Sequence, residues 1–184
     1  MQYVAFLRAI NVGGRAVVKM ADLCAMFERA GAANVRTLIQ SGNVLFDMAP
    51  RDVAGVVQRA GNALRRSMGA EPEIILRSVG QLQAMVNDSP FSEFRSGPAI
   101  KLYVTFLSRM PKTTPALPLV SSGEALEVVR IGGREVFLVS RPKRRGFFGF
   151  PNNFIEDQFG VSATTRNWST VIKIVDRARL QGAG

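Results

Sequence analysis

The sequence predicts an α+β protein of two subdomains, the first ferredoxin-like (β-α-β-β-α-β) and the second a small antiparallel sheet with C-terminal helices. Three observations carry this. Short apolar runs of strand length alternate with segments whose apolar residues recur at helical spacing. Two turn signals, Ser41-Gly42-Asn43 and Gly132-Gly133, each join a pair of strand-like runs. A polar stretch from Asn87 to Pro98 separates the two patterns. The expected boundaries are residues 1–78 for the ferredoxin-like subdomain, 79–98 for a helix and junction, and 99–184 for the second subdomain.

Tyr3 to Leu7 is nearly all apolar, the pattern of a strand buried on both faces. A glycine-containing loop runs from Arg8 to Lys19. Met20, Leu23, Cys24 and Phe27 then recur at helical spacing, and Gly31 stands where a helix ends. Val35–Gln40 and Val44–Asp47 read as a hairpin. Pro50 opens a second helix with a stripe of Val53, Val56, Val57, Ala60 and Leu64, and Glu73–Arg77 supplies the fourth strand. Ser78 and Gln81 have the spacing of a capping box for a short third helix.

Beyond the junction, Ile100, Leu102, Val104 and Phe106 alternate with more polar residues, so that strand has one buried face. Pro111–Pro118 is a surface connection. Leu126–Ile131 and Glu135–Val139 pair across Gly132-Gly133. A basic aromatic loop, PKRRGFFGFP, leads to a short helix around Asn153–Phe159. The last helix sets Trp168, Val171, Ile172 and Val175 on one face, with Thr164 or Thr165 as its N-cap.

Composition narrows the chemistry. The 184 residues hold 24 Lys+Arg against 14 Asp+Glu, no His and one Cys, for a net charge of +10. The lack of histidine removes Ser-His-Asp and Cys-His nucleophile systems, His-ligated zinc and histidine general bases. One cysteine removes disulfide frameworks and Cys₄ metal sites. Cys24 itself sits on the apolar side of its helix and reads as core. The carboxylates are scattered, with no close pair for acid–base work or Mg²⁺. No cofactor is implied. No apolar run approaches a signal-peptide core or a membrane span, so a cytoplasmic location with no membrane partner is expected.

The charge excess is uneven. Residues 1–96 carry 11 Lys+Arg against 8 Asp+Glu, and residues 97–184 carry 13 against 6. Such a balance favours nucleic acid or a phosphorylated small molecule as partner. Of the 24 basic residues 19 are Arg, a skew that GC-rich codon usage alone also produces.

Three clusters are candidate sites. In the expected topology the loop after the first strand and the first hairpin lie at the same end of the sheet. That gathers Arg8, Asn11, Gly13, Gly14 and Lys19 with Gln40, Ser41 and Asn43, a set suited to phosphate or carboxylate. The same glycines and amides also suit plain turn construction. At the head of the last helix, Thr165, Arg166 and Asn167 stand beside free backbone N–H groups and are expected to line the same cleft. The third cluster, Lys143, Arg144 and Arg145 before Phe147, Phe148 and Phe150, interleaves cations and aromatics as nucleic-acid surfaces do. Phe148 interrupts the alternation of a stacking strand and Pro151 follows, so the sequence favours a basic loop whose phenylalanines pack onto the core.

The segments LRAINVGGRAVVKMADLCAMFERAGAANVRTLIQSGNVLFD and ATTRNWSTVIKI resemble the bacterial family called domain of unknown function 1697. The resemblance implies two α+β subdomains and no particular activity. It marks Arg8, Asn11, Gly13, Gly14, Lys19, Met20, Gln40, Ser41, Gly42 and Asn43, then Thr164 to Trp168, as family positions. Ala9 and Ser169 depart from the family pattern, which has Gly and Asn there. The phenylalanines of PKRRGFFGFP also depart from a loop that is Gly/Ser/Lys-rich in the family.

The leading expectation is a binding module for an anionic ligand. The alternatives are a histidine-free enzyme that uses Arg, Lys, Asn and Ser to stabilise a transferred acyl or phosphoryl group, and a structural partner protein.

Overall fold

The computed structural model describes residues 1–8, 18–38, 42–69, 72–143 and 146–180. The described residues form two antiparallel sheets and five helices. The chain divides into two compact units, Met1–Gln83 with Ile174–Gly184, and Ala84–Lys173.

In the first unit the order is β1 (Gln2–Leu7), α1 (Met20–Arg29), β2 (Ala33–Thr37), β3 (Asn43–Asp47), α2 (Val53–Met68) and β4 (Ile74–Ser78). The sheet order is β2-β3-β1-β4. β1 is central because its run is apolar on both faces: Val4, Ala5 and Phe6 are completely buried. Tyr3, Ala5, Leu7, Val44 and Phe46 on one face pack with Leu23 and Phe27 of α1 and Val56, Ala60 and Leu64 of α2. Each valine, leucine and phenylalanine among them contributes about 1.5–3 kcal/mol by leaving water. Cys24 is only half-buried, beside this stripe and not within it.

Turn chemistry sets the ends. α1 ends at Arg29 with Ala30 as its C-cap, and Gly31 follows with φ +101°, a left-handed value that glycine adopts without a Cβ penalty. α2 starts at Val53, three residues after Pro50, because Pro50 to Asp52 form the turn that precedes it. The capping box is present: Gln81 N donates to Ser78 Oγ at 3.1 Å and Ser78 N to Gln81 Oε1 at 2.8 Å. It opens α3 (Val79–Asn87).

The second sheet has the order β6-β7-β8-β5-β9. Its strands are β5 (Lys101–Leu107), β6 (Leu119–Ser121), β7 (Leu126–Gly132), β8 (Glu135–Ser140) and β9 (Ala163–Asn167). Tyr103, Leu107, Val136 and Leu138 form one face, covered by Ile155 and Phe159 of α4 (Asn152–Phe159). α5 (Trp168–Arg179) buries Val171, Ile174, Val175 and Ala178. Two strands escape the sequence pattern. β6 has three residues, and β9 occupies the segment expected to cap the last helix. Among the described residues no helix is long and apolar enough to cross a membrane.

Candidate functional site

Backbone hydrogen bonds bring three connections of the first unit to one end of its sheet. Leu7 N donates to Gly42 O at 2.8 Å, Leu38 N to Asn43 O at 3.0 Å, and Arg8 N to Glu73 O at 2.9 Å. Arg8 and the β2–β3 hairpin therefore share the edge that the topology requires. Lys19 is exposed and holds the N-cap position of α1 in an extended conformation, without a side-chain cap. Asn43 is only 1% exposed, and its Nδ2 donates to Leu38 O at 3.1 Å, bracing the hairpin. Asn11, Gly13, Gly14, Gln40 and Ser41 lie outside the described residues.

Thr164, Thr165 and Arg166 are not a helix cap. They lie in β9, paired antiparallel with β5 so that Thr165 faces Thr105 and Arg166 faces Val104. Consecutive β-branched residues favour the extended chain, and β5 offered an open edge for pairing. The buried Thr105 and Thr165 hydroxyls lie 2.7 Å apart. The Arg166 guanidinium is buried, and its Nη1 donates to Thr164 Oγ1 and Thr165 O, both at 2.8 Å. Desolvation pushes its pKa down to about 10, which leaves it charged at neutral pH. Asn167 is exposed at the end of the strand.

The loop after β8 is built around Glu124. Lys143 Nζ lies 2.6 Å from Glu124 Oε2. A methyl on Gly149 would overlap the Glu124 backbone carbonyl, so only glycine lets the chain pass there. Between these anchors Lys143 N donates to Phe147 O and Gly146 N to Lys143 O, both at 2.8 Å, closing a tight turn with Gly146 at φ +75°. Pro142 bridges Phe148, and Lys101 Nζ sits 4.6 Å above the Phe148 ring.

This construction corrects the expectation that the phenylalanines pack onto the core. Phe147 is 72% exposed and Phe150 56%. The turn commits Phe148 to the sheet side and leaves its neighbour Phe147 facing out. Phe150 touches the protein edge-on, at 6.1 Å from the Tyr103 ring centroid. Arg144 and Arg145 lie outside the described residues. Arg141, at the start of the loop, is paired with Glu127 at 2.7 Å.

One cluster was missed by sequence reasoning. Arg29, Arg59, Asn62 and Arg66 line a groove of about 310 Å³ between α1 and α2. The spacing of Arg59, Asn62 and Arg66, three then four residues, is the signal that one helix face carries them. Among the described residues no group of three His, Cys, Asp or Glu side chains is placed to hold a metal ion.

The comparisons with known proteins speak to fold and family. The conserved bacterial protein SP0830 of Streptococcus pneumoniae has a similar structure, with a TM-score of 0.64 at 20% identity over 95% of this chain and 97% of that one. At that identity the likeness concerns the fold. A search of curated proteins gives no match. The family model described as "Protein of unknown function (DUF1697)" matches residues 1–137, which take in the β1 loop and the first hairpin and stop before the β9 motif. On that match the chain belongs to the DUF1697 family.

Proposed function

We propose that this chain is a cytoplasmic binding module for an anionic ligand, and that the ligand is single-stranded nucleic acid held by the loop after β8. The observation that carries the reading is the exposure of Phe147 and Phe150 in a loop whose sequence is basic. Exposing two phenyl rings costs apolar burial, and the anchors at Glu124 hold them in that state. Bases stack on such rings whatever their identity, while cations track the phosphates. A duplex hides its base faces, so the reading favours a single strand. The charge supports it: residues 97–184 carry 13 Lys+Arg against 6 Asp+Glu.

Lys143 is tied to Glu124, so the cations assigned to phosphate contact in this loop are Arg144 and Arg145, with Lys101 over the Phe148 ring as a further one. The test is anisotropy of a labelled oligothymidylate titrated with wild type and with Phe147→Ala/Phe150→Ala. Stacking is worth roughly 1–3 kcal/mol per base, so each lost ring weakens binding by about fivefold or more. Equal affinity of the two proteins would refute the reading.

A further inference from the structure

We infer that the groove between α1 and α2 is a second, separate anion site, one that takes the phosphate group of a small molecule. It lies in the first unit and does not rest on the nucleic-acid reading. Three guanidinium groups, Arg29, Arg59 and Arg66, line it together with Asn62 and a floor that includes Met26 and Ala63. Its volume of about 310 Å³ is at the lower end for small-molecule sites.

One of the arginines is held in place. Arg59 Nε and Nη2 both donate to Ala30 O, at 3.0 and 2.7 Å, which closes the C-terminal end of α1. Two glycines make room for this head group. A Cβ at Gly55 would lie 3.1 Å from Arg59 Nη1, and one at Gly31 would lie 3.7 Å from Nη2. The guanidinium therefore sits over the helix end at a fixed position, with its charge at the wall of the groove.

Arg29 and Arg66 stand in the last turns of α1 and α2, where positive charge suits the helix end, but neither head group is held in the way that of Arg59 is. Neither side chain forms an ion pair or hydrogen bond among the described residues, and no carboxylate lines the groove. Three like charges around one concavity repel, and an anion in it relieves that repulsion. Guanidinium forks match the oxygens of a phosphate, and the Asn62 amide adds a donor beside them. A phosphate on a small molecule with some apolar surface fits both the cations and the Met26–Ala63 floor.

The probe is inorganic pyrophosphate, titrated calorimetrically at low salt onto the full chain. Wild type is expected to bind it saturably, with affinity at least about tenfold weaker in Arg29→Ala/Arg66→Ala. Both side chains are exposed, so this variant should melt as wild type does. The charge-matched control Arg95→Ala/Arg109→Ala should bind like wild type. Phe147→Ala/Phe150→Ala should also bind pyrophosphate normally, which separates this site from the nucleic-acid loop. Absence of saturable binding by wild type, or equal losses in the two double-arginine variants, would overturn the proposal. Adenosine monophosphate and inorganic phosphate form the second arm. Tighter binding of the nucleotide supports a carried phosphate, and equal or weaker binding overturns that part of the assignment.

Discussion

Lys143 and Glu124 form an ion pair, 2.6 Å between Nζ and Oε2, that fastens one end of the aromatic loop to the turn before β7. Gly149 fastens the other end against the backbone of the same glutamate. The pair is partly exposed and worth little to stability, at most about 1 kcal/mol. Its effect is on charge, because it withholds Lys143 from a phosphate. Glu124→Gln should therefore tighten oligonucleotide binding and steepen its salt dependence by up to about 0.7 log–log units. An unchanged slope would mean that Lys143, once released, does not reach the strand.

Gly149→Ala tests the second anchor. The added methyl must displace the Glu124 carbonyl or the loop, at about 1–3 kcal/mol, the usual cost of overpacking. A lowering of Tm by several degrees is expected, with weaker oligonucleotide binding because the rings move. A melting curve that matches wild type would show that the loop gives way freely.

Thr105 and Thr165 make a buried pair of hydroxyls across β5 and β9. Thr165→Val should cost about 1–3 kcal/mol by stranding the Thr105 hydroxyl. Thr105→Val/Thr165→Val should cost less than the two single changes added together, since it removes both polar partners. Denaturant melts of the four proteins supply the comparison, and strict additivity would contradict the pairing.

Tyr103 titrates late. Burial raises its phenol above the ordinary value of 10.0. In a Tyr3→Phe background the tyrosinate absorbance should rise above the usual pH, and Phe150→Ala should move the transition down by uncovering the ring. The raised native value means the folded state holds the proton longer than the unfolded one. The stability tied to it is present below pH 10 and is lost as pH climbs through the native pKa. A native transition at the ordinary value would contradict the burial.

The first unit was readable in detail because its signals are local. Gly31, the Ser78–Gln81 capping box and the apolar run of β1 each act through neighbouring residues, and each appears where the pattern put it. β9 was not readable, since what makes Ala163–Asn167 a strand is the open edge of β5, some sixty residues earlier in the chain. The outward rings have the same origin. Glu124, which aims the loop, is twenty-five residues away from Gly149 in sequence, and nothing in PKRRGFFGFP points to it. Of the candidate residues, Arg8 and Asn43 meet the expected edge, and Asn43 is there as a hairpin brace.

The most direct test of the nucleic-acid reading is a salt-series titration of single-stranded and duplex oligonucleotides of equal length onto the wild-type chain. Tighter binding of the single strand is expected at about 50 mM salt. A log–log slope of about −0.7 per phosphate contact is expected too, flattened by one to two units in Arg144→Ala/Arg145→Ala. Absence of binding to either oligonucleotide at that salt, or a duplex bound as tightly as the single strand, would contradict it.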